Sequence, residues 1–216
     1  MILSGNKTCE KDGVLFDEFQ YSLPLILGIN YILKSVNQVT VLDYGGSFAS
    51  SFFRNLDILR EFDIRWIVVE QDNIVQIAKQ KLSRYNELEF IPDFDFREKR
   101  SKLNYNVLLL GSSLQFFEKP QFELTKLIHE GPKSLIIEQT PFVLSGSRQL
   151  TVQQVREPIY DSSYPAWHFE EKEFMKWIGN QYELRYQSHN AHVTNHCNNF
   201  SSTLNDYVFT DVSLSN

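Results

Sequence analysis

The chain has 216 residues, 42% of them hydrophobic and 22% charged, enough apolar material for one domain with a full core, which excludes a disordered tail or a fibrous repeat. Its 21 Lys and Arg stand against 27 Asp and Glu, a formal charge of -6, the wrong sign for neutralising nucleic-acid phosphates, so no nucleic acid is expected as a partner. Two cysteines, Cys9 and Cys197, make no disulfide scaffold, no secretory signal is recognisable, and no apolar run reaches the roughly 18 to 20 residues that cross a bilayer; the cytoplasm is the expected address.

In the first 38 residues, Ser22 followed by Pro24 marks a helix start, and the apolar stretch 23–36 predicts a helical extension covering one edge of the core. Residues 39–42 form a β-branched run that stops at Asp43-Tyr44-Gly45-Gly46-Ser47, where the glycines permit a sharp turn into a helix. A second strand over 65–69 ends on Glu70, and 73–82 carries Ile74, Ile77, Ala78 and Leu82 on one helical face. A third strand over 88–91 ends at Pro92-Asp93-Phe94, and a fourth over 106–110 ends at Gly111-Ser112-Ser113. A helix over 121–130, stopped by Gly131-Pro132, leads to a fifth strand over 134–138. The polar and aromatic segment 147–169 reads as an elaborated loop. Segments 182–186 and 206–212 read as two strands joined by a long connection rich in Asn, Ser and His, an antiparallel hairpin closing the sheet. The alternation of buried strands with amphipathic helices predicts an α/β fold with helices on both faces of a mostly parallel, doubly wound sheet.

In such a sheet, ligands bind outside the carboxyl ends of the strands. The glycines Gly45 and Gly46 let backbone amides approach a ligand, and Glu70 can accept both hydroxyls of a ribose. Asp93 can receive an adenine amino group, with Phe94 or Leu114 packed on the ring. This set suits a nucleoside. It does not suit a pyrophosphate, because Gly45-Gly46-Ser47-Phe48-Ala49-Ser50 departs from G-x-G-x-x-G and no phosphate loop of the G-x-x-x-x-G-K-[ST] type is present.

The stretches Val41-Leu42-Asp43-Tyr44-Gly45-Gly46-Ser47, Trp66-Ile67-Val68-Val69-Glu70-Gln71, Leu108-Leu109-Leu110-Gly111-Ser112-Ser113-Leu114-Gln115-Phe116-Phe117 and Ile136-Ile137-Glu138-Gln139-Thr140-Pro141-Phe142 resemble class I S-adenosylmethionine-dependent methyltransferases. With Thr151-Val152-Gln153-Gln154-Val155 and Tyr160-Asp161-Ser162-Ser163-Tyr164-Pro165-Ala166-Trp167, the chain more narrowly resembles a methyltransferase family encoded among bacterial surface-polysaccharide genes. The resemblance covers roughly residues 9 to 169. It implies a Rossmann-like domain over 39–216 with about seven strands, the last antiparallel, and S-adenosylmethionine as cofactor over the first two strand ends. Asp43, Gly45 and Gly46 would line its methionine part and Glu70 its ribose, and Ser47, Gln71, Gly111 and Ser112 would complete the cofactor set. Many relatives carry a third glycine where this chain has Ser47, and another small residue where it has Ala49. The implied acceptor is a small molecule or glycan, O-methylated as a sugar or sugar-linked intermediate of surface-polysaccharide synthesis.

A hydroxyl acceptor calls for a base. His168 is the candidate, with Asp161, Tyr160 and Tyr164 as alternatives for base or acceptor hydrogen bonding. Arg148 can hold an acceptor phosphate or carboxylate by its fork of donors, its plainer reading being a surface salt bridge. Gln153 and Trp167 complete the expected acceptor set, whereas Trp66 and Trp177 read as core. His189, His192, His196 and Cys197 have a metal-like composition, but no C-x-x-C or H-E-x-x-H completes a site, and no metal is expected. Two other readings stay open: a non-catalytic Rossmann-like module with Ser47 marking a degraded site, and a nucleotide-sugar dehydrogenase or epimerase, disfavoured by the missing third glycine.

Overall fold

The computed structural model describes residues 9–11, 14–18, 20–99, 102–155, 161–197 and 199–215. An antiparallel ribbon of β1 (Cys9–Lys11) and β2 (Val14–Phe16) precedes helix α1 (Leu23–Ile32), so the segment ahead of residue 39 is not purely helical. There follow β3 (Val39–Tyr44), α2 (Ser50–Arg54), α3 (Leu56–Leu59), β4 (Ile64–Glu70), α4 (Asp72–Lys81), β5 (Leu88–Pro92), α5 (Asp93–Lys99) and β6 (Val107–Gly111). The chain continues through α6 (Pro120–His129), β7 (Ser134–Val143), β8 (Gln149–Val155), β9 (Ser162–His168), α7 (Glu171–Ile178), β10 (Tyr182–Cys197) and β11 (Phe200–Asp211).

Seven strands form one sheet in the order β5-β4-β3-β6-β7-β11-β10. The five from β5 to β7 are parallel, and β11 runs antiparallel to both of its neighbours. Strict alternation along the strands feeds two cores. Val41, Trp66, Val68, Val107, Leu109 and Ile136 point into the layer under α1 to α4, and Leu42, Ile67, Val69, Leu108, Leu110 and Ile137 into the layer under α5 to α7. A strand buried on both faces needs apolar residues at every position, which is why these segments read as continuous hydrophobic runs. The fold is thus a Rossmann-like, doubly wound α/β sandwich. Among the described residues, no helix is long and apolar enough to cross a membrane.

Three expectations are corrected. Helix α1, capped by Ser22, whose Oγ accepts from the Leu25 amide at 3.0 Å, lies on the sheet face over β7 and β11, not at an edge. Segment 147–169 is no loop: β8 and β9 pair residue for residue from Gln149 with His168 to Val155 with Ser162. Gln153, Gln154 and the exposed Ser162 and Ser163 hide the strand period, and Pro165 is tolerated because β9 takes only β8 as its ladder partner. The His- and Asn-rich connection is itself strand, since β10 runs on to Cys197 and β11 starts at Phe200.

Helix α1 is pressed so closely onto β7 that a Cβ at Gly28 would fall 2.5 Å from Cδ1 of Ile136, a residue of 0% exposure. Gly28→Val should therefore overpack this contact and destabilise the fold by about 1–3 kcal/mol in urea unfolding. An unchanged midpoint would mean that helix and strand are not in contact there.

Candidate functional site

The chain lays down β3, β4 and β5 in one direction and returns to β6 on the other side of β3. The crevice at such a switch point opens outside the carboxyl ends of the two central strands, here at Gly45–Ser47 and Gly111–Ser113. Gly45, at φ +78°, donates its amide to the Val69 carbonyl at 2.9 Å, and a Cβ on it would stand 2.7 Å from that of Ser113. A Cβ on Gly46 would stand 2.4 Å from the carboxyl carbon of Asp43. Both positions need glycine for space, and Gly45 also for its backbone. Ser47 (φ +51°) and Ala49 (φ +63°) take the left-handed conformation that a glycine would supply, as does Ser112 (φ +56°), each at about 1–2 kcal/mol. The turn therefore keeps its glycine-type path in spite of the serine.

Glu70 ends β4 with its carboxylate turned back on this turn, one oxygen accepting from the Ser47 amide at 3.1 Å and the other from the Gln71 amide at 2.9 Å. Asp93, at the end of β5, accepts from the Tyr44 hydroxyl and from Nε of Arg97 at 2.9 Å. The Tyr44 ring meets Phe96 and Phe117 edge-on, and burial first, then Asp93, drives its hydroxyl well above the usual range. Phe94 is 71% exposed at the same strand end. Leu114 is a correction: expected on a base ring, it is wholly buried in the core under α5 to α7, because the 3-10 turn Leu114–Phe116 directs it inward.

Beneath the turn lies a buried polar cluster. Alternation puts Asp43, Gly111 and Glu138 on the face of Ile136, under α1 and α2. Asp43, expected to line a ligand, is 1% exposed and accepts from Nε1 of Trp66 at 3.1 Å. The glycine turn covers it. Glu138 (4% exposed) accepts from the Ser22 hydroxyl and faces Nη2 of Arg54 (6% exposed) at 3.5 Å. The Ser22 amide donates to Oδ1 of Asn55 at 2.9 Å. Reading the sequence did not anticipate that Arg54 and Glu138 meet beneath the turn; the available signal was Glu138, an acid ending a central strand as Glu70 does.

Burial above all, with Glu138 and Glu70 adding to it, pushes the Asp43 carboxyl from 3.8 up to about 7. Its folded pKa lies above the unfolded one, so its contribution to stability is complete below about pH 4 and is lost as pH rises through about 7. Asp43→Asn, which mimics the protonated acid, should gain on the wild type between pH 4 and pH 8 by up to about 4 kcal/mol. Parallel stability curves for the two proteins would contradict the buried acid.

The hairpin β8–β9 reaches over the end of β6. Tyr164 meets Phe116 edge-on at 5.1 Å, and Nε1 of Trp167 donates to the Phe117 carbonyl at 3.2 Å. Gln153 pairs with Tyr164 and is exposed, as is Asp161. His168 is 7% exposed, with Nδ1 2.7 Å from the Ser202 hydroxyl and Nε2 3.1 Å from that of Thr151. Burial lowers its pKa. Arg148 pairs with Glu173 at 3.3 Å and lies over the Trp167 ring. Tyr160 and the side chains of His192, His196 and Cys197 lie outside the described residues. No group of three or more potential metal ligands occurs among the described residues.

No protein-family model matches the chain, and no curated protein sequence does. Solved structures do. The N-terminal domain of EvdMO1 with S-adenosylhomocysteine bound is 11% identical, over 95% of this chain and 90% of that one, with a TM-score of 0.58. The same domain was also crystallised in the presence of S-adenosylhomocysteine and D-fucose. A SAM-dependent methyltransferase from Methanosarcina mazei is 13% identical over 88% of this chain and 98% of that one, with a TM-score of 0.56. The CcbJ methyltransferase from Streptomyces caelestis is 9% identical over 87% and 88%, with a TM-score of 0.53. The chain has the fold of S-adenosylmethionine-dependent methyltransferases.

Proposed function

We propose that the protein is a bacterial, cytoplasmic S-adenosylmethionine-dependent methyltransferase that O-methylates a sugar or sugar-linked intermediate of surface-polysaccharide synthesis. One observation carries the reading: within this strand order, a glycine turn closes β3 beside an acid that ends β4. The donor set fits the nucleoside. The Glu70 carboxylate exchanges the Ser47 amide for ribose hydroxyls, the exposed ring of Phe94 with Asp93 receives adenine, and Gly45, Gly46, Gln71, Gly111 and Ser112 border the remainder. S-adenosylmethionine supplies a methyl group activated by its sulfonium. The protein positions the acceptor and removes its proton.

The sugar acceptor rests on the polysaccharide-type motifs over 151–155 and 160–167, and the D-fucose used with the EvdMO1 domain is in keeping with it. His168, expected as the base, is given a positioning role instead: it is buried, and Ser202 and Thr151 engage both of its nitrogens, so it orients Thr151 in β8. Asp161 and Tyr164, with Tyr160, meet the acceptor hydroxyl, while Gln153, Trp167 and Arg148 frame it. A second reading, a non-catalytic module, is favoured by Glu70 already spending both oxygens on backbone amides beside Ser47.

Calorimetric titration decides. S-adenosylmethionine and S-adenosylhomocysteine should bind and NADH should not. Glu70→Ala should weaken binding of both by roughly 10- to 150-fold, the loss of charge-assisted bonds of about 1.5–3 kcal/mol. Binding without turnover over a panel of sugar nucleotides and lipid-linked glycans would favour the module, and no binding by a folded sample would overturn the methyltransferase.

A further inference from the structure

We infer that the outer edge of β5 is a binding site for an extended peptide segment of a partner protein, which joins the sheet as a further strand and presents an acidic side chain to Lys79. β5 ends the sheet, and β4 is its one ladder partner. Along its free side runs a groove of about 590 Å³, with Leu88, Phe90 and Pro92 in its floor. Ala78 and Leu82, at the end of α4, form one wall; Lys99 of α5 and Leu103 form the other. The two helices pack on opposite faces of the sheet, so the groove lies between them.

The floor carries unpaired backbone groups. The register sets Trp66 opposite Leu88 and Val68 opposite Phe90, and the Trp66 amide donates to the Glu87 carbonyl at 2.8 Å. In a parallel ladder of that phase, Glu87, Glu89 and Ile91 face β4, while Leu88, Phe90 and Pro92 turn their backbone groups outward. The Leu88 amide donates to the Tyr85 carbonyl at 3.1 Å, and Pro92 has no N–H. Phe90 keeps both its N–H and its C=O without a partner among the described residues, although it is only 5% exposed. Buried backbone groups are nearly always paired, and a strand added to a free edge pairs them. Side chains of such a strand alternate between the wall at Leu82 and the wall at Leu103. The charges select the segment. Glu89 pairs with Arg65, and Asp95 with Lys99 at 3.5 Å, whereas Lys79 makes no ion pair among the described residues. An acid on the segment complements it. β5 of a second copy does not fit, since it would bring its own α4 and α5 against the same walls.

The test selects a random library of short phage-displayed peptides on the purified full chain, and the tightest binder is synthesised. It should carry apolar residues at alternate positions and an acid. Its addition should slow hydrogen exchange of the Phe90 amide by about tenfold or more. N-methylation at one set of alternate residues, those whose N–H faces β5, should weaken binding by about tenfold, and at the other set by no more than about twofold. Lys79→Glu, at an exposed helix position, should weaken it by about fivefold. Equal losses at both sets of residues, an unprotected Phe90 amide, unchanged binding by Lys79→Glu, or no enriched peptide would overturn the inference. So would a free protein that elutes as a dimer with Phe90 already protected, because a second copy would then hold the edge.

Discussion

The backbone of Gly46 rests on the carboxyl group of Asp43, and the arrangement at the ends of the central strands depends on that contact. Any side chain at position 46 would occupy the space of the carboxyl, 2.4 Å away. Asp43 cannot retreat, because Nε1 of Trp66 holds it from β4, and the Trp66 ring is itself wedged against Phe52 of α2. Turn, helix and strand are thereby fixed to one another. The direction that α2 takes from the turn carries Arg54 to Glu138, two strands away from the glycines.

Unfavourable terms collect at the same end of the sheet. The non-glycine residues with left-handed backbone among those described, Ser47, Ala49, Ser112 and Gln139, all lie at or just past the carboxyl ends of β3 and β6 or at the bulge in β7. Strain of this kind persists only where neighbours over-determine it. For Gln139 the neighbour is Asp206, which accepts its amide at 2.8 Å; for Ser47 it is Glu70. The N-terminal segment adds polar bonds to the apolar burial of Leu25, Ile29 and Ile32: Tyr21 donates to Asp57, and Ser22 reaches both Asn55 and Glu138. A charge pair as buried as Arg54 and Glu138 gives little net stability once desolvation is counted, but removing one partner is expensive. The pair therefore sets geometry more than it adds stability.

The central sheet was legible because its strands are buried on both faces, which leaves apolar runs such as Leu108-Leu109-Leu110 that no exposed element carries. The strand ends were legible too, since Gly45, Gly46 and Glu70 interrupt those runs abruptly. The hairpin β8–β9 escaped because one of its faces meets solvent, where Leu150 and Val152 stay 55% and 70% exposed beside polar neighbours, so neither a run nor an alternation develops. The late half of β10 escaped for want of an apolar period. At the site, Asp43 read as a ligand contact, although its place two residues after Val41 already put it on a buried face. Arg54 gave no sign, because a charged residue ending a short helix ordinarily faces water and only the tertiary fold brings Glu138 over it.

The most direct test of a ligand site at the carboxyl ends of β3, β4 and β6 is a backbone amide spectrum of the isotope-labelled protein with and without S-adenosylhomocysteine. The account predicts the largest shifts at Gly45, Gly46, Ser47 and Gln71, whose amides belong to the turn or to its contact with Glu70, and at Gly111 to Ser113 across the switch point. Shifts clustered instead along the outer edge of β5, where Leu82, Leu88 and Phe90 line a groove, or a spectrum unchanged at saturating ligand, would contradict it.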